Sequence, residues 1–264
     1  MPNGSRGARV WRAGLVLWLV GVVPLVGCGT RSAAPVLDAD RDQDRRCAAA
    51  ETGGAAADPV APAGPLDAGG AGAVLTRQGK SAEGIAYFDQ ALKSDPRYWA
   101  AHYNWGVALV EMGTPDAAVE HFEKVVELNP AEFNAHGWLG GILLGKGRAA
   151  ESVEHYRQAV GLNPEYVQGL CALARILATN ADPAVRDGKE AVRLAEIACA
   201  KTGQADPQAL DALACASAET GRFDDALRAV DKAIGLALSA KDEKLTAAIE
   251  AHRKLFEAHK PARE

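Results

Sequence analysis

Residues 99–132 read WAAHYNWGVALVEMGTPDAAVEHFEKVVELNPAE, and residues 133–166 read FNAHGWLGGILLGKGRAAESVEHYRQAVGLNPEY. Laid over one another, His102, Trp105, Gly106, Leu109, Gly113, Ala118, Phe122 and Pro130 fall on His136, Leu139, Gly140, Leu143, Gly147, Ser152, Tyr156 and Pro164, each pair 34 residues apart. A fixed period of that length marks stacked two-helix units, each hiding its apolar face against the next. The paired residues suit packing. Gly106 and Gly140 lack side chains and let the first helix of a unit approach its neighbour closely, while Leu109 with Phe122, and Leu143 with Tyr156, fill the seam between paired helices. Gly113 and Gly147 suit the left-handed residue that ends a helix. Asn129-Pro130 and Asn163-Pro164 end the second helices, because a residue before proline is pushed out of the helical region.

The order of aromatic or apolar residue, Leu-Gly, Tyr, Ala-x3-Phe and closing Pro resembles the tetratricopeptide repeat. That resemblance implies an all-α, right-handed α-solenoid of about five repeats, at residues 65–98, 99–132, 133–166, 167–206 and 207–238, inside a domain spanning 65–258. Residues 241–258 follow as an amphipathic helix with Leu245, Ala248, Ile249, His252, Leu255 and Phe256 on one side, the expected cover for the last repeat. Residues 259–264 form a tail. Two irregularities stand out. Gly69, Gly70 and Gly72 fall in the first helix of repeat one, at up to about 1 kcal/mol each against Ala, so that helix is expected to be short, frayed or held only by its neighbour. Residues 180–188 lengthen the turn inside repeat four by about five residues, after which its second helix resumes at Lys189.

At the other end, Arg6, Arg9 and Arg12 precede an uncharged, mostly apolar run from Ala13 to Val26, too short to span a bilayer comfortably. Leu25-Val26-Gly27-Cys28 resembles a bacterial lipobox, which implies removal of residues 1–27 and lipidation of Cys28. An ordinary secretory signal with Cys28 incidental is the alternative. An acylated terminus anchors without any transmembrane helix, at about 0.8 kcal/mol per buried methylene. Gly29, in place of an aspartate that commonly signals inner-membrane retention, favours the outer membrane. Residues 28–64 are rich in Ala, Gly, Pro and Asp and read as a flexible tether of about 35 Å reach.

The formal charge is −5, and loss of the three arginines with the signal makes the mature chain −8, a poor match for nucleic acid or anionic lipid. Cys47, Cys171, Cys199 and Cys215 have no CxxC spacing; the last three are expected as small buried thiols, with a disulfide as the alternative. His102 with His136, and His121 with His155, recur at equivalent positions about a helix diameter apart, which argues against joint metal ligation. No cofactor is expected. No catalytic constellation stands at an interpretable spacing, so an enzyme of envelope carbohydrate has no residue support.

In the tetratricopeptide family the first helices line a concave, ligand-binding groove. Carried over, that places Tyr103, Asn134, Gly137, Gly141, Gln168, Arg175, Gln208 and Asp211 along it, with Cys171 and Cys215 at further groove positions. A row of amides at Asn134, Gln168 and Gln208 suits an extended peptide backbone. Gly137 and Gly141 are expected either to open a hollow between Tyr103 and Arg175 or merely to reflect high glycine usage. The function implied is a non-enzymatic, membrane-anchored, extracytoplasmic scaffold for another envelope protein, without metal or nucleic acid. A pilotin-like or outer-membrane assembly lipoprotein is the alternative.

Overall fold

The computed structural model describes residues 64–264. The signal segment, Cys28, Cys47 and the tether up to residue 63 lie outside the described residues. Eleven helices and no strand occur among those described: α1 (Pro65–Arg77), α2 (Ser81–Ser94), α3 (Trp99–Glu111), α4 (Pro115–Leu128), α5 (Phe133–Gly145), α6 (Ala149–Leu162), α7 (Val167–Thr179), α8 (Gly188–Lys201), α9 (Pro207–Glu219), α10 (Phe223–Ser239) and α11 (Glu243–Glu257). They divide into two compact units, one ending at Ile142 and the other beginning at Leu143.

In the first unit, α1 packs on α2, α2 on α3 and α3 on α4, with a lesser contact from α1 to α3. Ala68, Phe88, Ala91, Ala101 and Ala108 form one buried cluster. Small residues dominate because the helices cross closely. A Cβ on Gly106 would lie 2.8 Å from the Phe122 ring, and one on Gly72 would lie 2.5 Å from Phe88 and 2.9 Å from the Gly84 carbonyl. Of the alternatives for the first helix of repeat one, that close approach fits a helix held by its neighbour. It runs a full 13 residues, because tertiary packing outweighs the propensity of its glycines. The first helices α1, α3, α5 and α9 each lead into a left-handed glycine, at Gly79, Gly113, Gly147 and Gly221.

In the second unit, α6 packs on α7, α7 on α8 and α9, α8 on α9, α9 on α10 and α10 on α11. The residues inserted between α7 and α8 are held in place. Arg186 donates to the Asn180 carbonyl at 2.7 Å and pairs with Glu219 at 3.0 Å, while the Asp187 amide donates to the Leu177 carbonyl at 3.0 Å. Asp187, Asp206 and Asp242 then cap α8, α9 and α11 by accepting from orphan amides of the first turn. α11 buries Leu245, Thr246, Ile249, His252 and Phe256.

Residues 259–264 are more than a trailing tail. They return to α7, where the Glu264 amide donates to the Thr179 carbonyl (2.9 Å) and its carbonyl accepts from the Ala181 amide (3.2 Å). Ala262 is buried, and Arg263 pairs with Glu219 at 2.7 Å.

Candidate functional site

The groove positions inferred from sequence divide by burial. In the first unit Tyr103 is fully buried, its hydroxyl accepting from the Trp138 indole at 3.2 Å, so it is a core group and not a free groove aromatic. Asn134 is buried and donates to Glu132 at 2.9 Å. Gly137 and Gly141 are buried as well. In the second unit Gln168 is exposed and Gln208 half-buried. Arg175 and Asp211 are buried. A charge placed there by the sequence must find a partner inside the protein, and each does.

Those partners build one polar cluster. Arg175 projects from α7 and lies 3.3 Å from Asp211 of α9 and 3.5 Å from Glu264. His252 of α11 meets Asp211 through Nδ1 at 2.8 Å and Glu264 through Nε2 at 3.2 Å. Cys215, one turn along α9 from Asp211, puts Sγ 3.7 Å from the same Nδ1. Burial opposes ionisation of Glu264, but the guanidinium and the imidazole outweigh it and hold the carboxyl down at about 2. Burial likewise opposes charge on His252, and its contacts with Cys215, Asp211 and Glu264 more than offset that, pushing it up to about 12. The Cys215 thiol is pushed up by burial, and Cys199 is raised to about 11 for the same cause.

This cluster is not a nucleophilic dyad. A thiol nucleophile and its orienting carboxylate occupy opposite ring nitrogens of the base, whereas here Cys215 and Asp211 share Nδ1, and the thiol is about 1% exposed. Cys171, Cys199 and Cys215 are all buried free thiols. Beside the cluster a cavity of about 470 Å³ is lined by Leu144, Arg148, Ile176, Thr179 and Val185, with Arg175 and Glu264 at its wall. The sequence reading missed Glu264 and used His252 only as a packing residue. The available signal was a titratable residue among the apolar positions Leu245, Ile249 and Phe256 of α11.

The histidines meet within a repeat and not only recur across repeats. His102 Nδ1 lies 3.1 Å from His121 Nδ1, and Trp105 stacks on His121 with ring centroids 4.4 Å apart. Burial, then the neighbouring His102, lowers His121 to about 4; burial also lowers His102 despite its hydrogen bond to the Pro96 backbone. Glu120, Glu127 and Lys124 are the charged neighbours. Because the folded pKa lies below the unfolded value near 6.5, the unfolded chain takes up protons that the folded chain refuses. Stability therefore falls as pH drops from about 6.5 towards 4. Urea midpoints measured across that window are expected to fall less in His121→Gln than in the parent, and equal losses would show that this histidine does not resist protonation.

A family model of the tetratricopeptide repeat matches residues 71–111 and 103–167. No curated protein matches the chain. Among solved structures it is similar to YrrB, a TPR protein with an unusual peptide-binding site, at 19% identity over 71% of this chain and 92% of that one, with a TM-score of 0.58. It is similar also to a MamA structure, at 19% identity over 65% and 96% with a TM-score of 0.55. A MamA structure from Desulfovibrio magneticus RS-1 aligns at 17% identity over 66% and 96%, with a TM-score of 0.57. These likenesses show the fold, an all-helical solenoid of paired helices. Its helices pair in sequence order, and from residue 71 to 167 it is similar to the tetratricopeptide repeat.

Proposed function

We propose that this protein is a non-enzymatic, membrane-anchored scaffold on the extracytoplasmic side, whose last repeats receive an extended segment of another envelope protein. The observation that carries the reading is residues 260–264. They lie against α7 in irregular conformation, hydrogen-bonded through both backbone groups of Glu264, with its side chain gripped by Arg175 and His252. The face that takes this segment has the chemistry for an extended peptide carrying a carboxylate: backbone groups at and just beyond the end of α7 that pair with the segment, a buried cation, and the exposed amide of Gln168 on the same helix. The likeness to YrrB supports the peptide reading, since that protein has a peptide-binding site.

Anchoring rests on Leu25-Val26-Gly27-Cys28 behind the basic and apolar opening of the chain. No helix among the described residues is long and apolar enough to cross a membrane, so the lipid on Cys28 is the attachment in this reading.

A synthetic peptide of residues 258–264 tests the peptide face. It is expected to bind in trans to a variant lacking those residues, at least tenfold more tightly than it binds the full chain, whose own segment competes. Glu264→Gln in the peptide is expected to weaken binding at least tenfold. A peptide that ignores the shortened variant would sink the reading. Palmitate labelling abolished by Cys28→Ser is the matching result for the anchor.

A further inference from the structure

Asp211, Cys215 and His252 bring three different ligand atoms together, all within 4.8 Å of one another and all on buried residues. Asp211 and Cys215 stand four residues apart on one face of α9, and His252 faces them from α11. Separations of 2.8 Å (His252 to Asp211) and 3.7 Å (His252 to Cys215) bracket those between donors sharing one ion at about 2.0–2.3 Å. The outer contacts match as well. A ligating histidine ordinarily gives its other ring N–H to a carboxylate, and Nε2 of His252 faces Glu264 at 3.2 Å, which leaves Nδ1 to point at the ion. Oδ2 of Asp211 is buried and makes no hydrogen bond, being held only by the ion pair with Arg175 at 3.3 Å.

We infer that Asp211, Cys215 and His252 form a binding site for a zinc-type divalent cation. Thiolate, imidazole and carboxylate together suit a borderline ion, whereas hard ions such as magnesium and calcium take all-oxygen sets. Charge closes in both states. Without the ion, the positive Arg175 and His252 face the negative Asp211 and Glu264. With it, two protons leave, one from Cys215 Sγ and one from His252 Nδ1; the ion sheds waters and gains one sulfur, one nitrogen and one oxygen bond. The thiolate then joins the two carboxylates opposite Arg175 and the divalent ion. Bound there, the ion ties the last helix to α9 and fixes how the final repeat is closed.

Cobalt(II) titration of the full chain is the test. The expected result is a near-ultraviolet thiolate-to-cobalt charge-transfer band that saturates at one ion per chain and is bleached by zinc. The band is expected to vanish in Cys215→Ser and to weaken at least tenfold in apparent affinity in Asp211→Asn. It is expected to survive in Cys171→Ser, in Cys199→Ser and in the Cys28→Ser/Cys47→Ser double variant. Each variant is first shown to be helical by circular dichroism, and Cys215→Ala replaces Cys215→Ser if the latter does not fold. Absence of the band in the parent, its persistence without Cys215, or its loss with Cys28 and Cys47 would each overturn the site.

Discussion

Asp211→Ala, in protein treated with chelator, is expected to lower the stability of the second unit by about 3–5 kcal/mol, the loss typical when one member of a buried charge pair is removed. The carboxylate is fully buried and faces both Arg175 and His252. Without it, two largely buried cationic groups face Glu264, at 3.5 Å and 3.2 Å, with one carboxylate fewer beside them. The damage comes from the charges left behind, more than from the bond lost. Two controls separate those causes. Asp225→Ala removes a carboxylate from exposed pairs with Arg228 and Arg222 and is expected to change stability by less than about 1 kcal/mol. Arg175→Leu in an Asp211→Leu background removes both charges of one pair, leaves His252 with Glu264, and is expected to recover most of the loss. Urea unfolding of the four proteins decides the matter. A loss at Asp211→Ala no larger than that at Asp225→Ala would mean that the buried cluster is solvated.

The same cluster shows why the site was harder to read than the fold. The 34-residue spacing from His102 to Pro164 carries the helix pairing by itself, because every repeat buries the same positions. Gly113 and Gly147 locate the turns for a local reason, their left-handed backbone. Even the lengthened turn between Asn180 and Gly188 is plain from the delay before the apolar period resumes. The groove assignment asked for more. It presumed that residues at the ligand-facing positions of a repeat are open, which depends on what packs over them. Tyr103 is covered because an indole 35 residues away needs an acceptor. Arg175 is covered because Glu264, 89 residues on, folds back to it. Neither partner stands at a repeat-equivalent distance, so no periodic argument reaches them. Gly69 and Gly72 left open whether the helix frays or is held by its neighbour. Their low propensity leaves the helix to its neighbours, and the Tyr98 and Phe88 rings that occupy the space of their missing side chains keep it whole.

Phe122→Ala is expected to destabilise the first unit by about 3–5 kcal/mol, and it reverses the sign of a second substitution. The Phe122 ring is fully buried, edge-on to Tyr103 (5.9 Å) and stacked on Trp138 (5.7 Å). Its outer atoms lie 2.8–3.1 Å from where a Cβ on Gly106 would stand. With two aromatic neighbours behind it the ring cannot retreat, so Gly106→Ala in the parent overpacks the seam, at about 1–3 kcal/mol. That loss exceeds the gain of up to about 1 kcal/mol that alanine brings to a helix interior. In the Phe122→Ala background the ring is gone, the new methyl enters free space, and only the propensity gain remains. Gly106→Ala is then expected to stabilise by up to about 1 kcal/mol, giving a coupling within the 0.5–3 kcal/mol range found for residues in contact. A double-mutant cycle from denaturant unfolding measures it. Should Gly106→Ala have the same effect in both backgrounds, the glycine would not owe its place to the Phe122 ring, and close helix approach would lose its physical basis at the centre of the repeat.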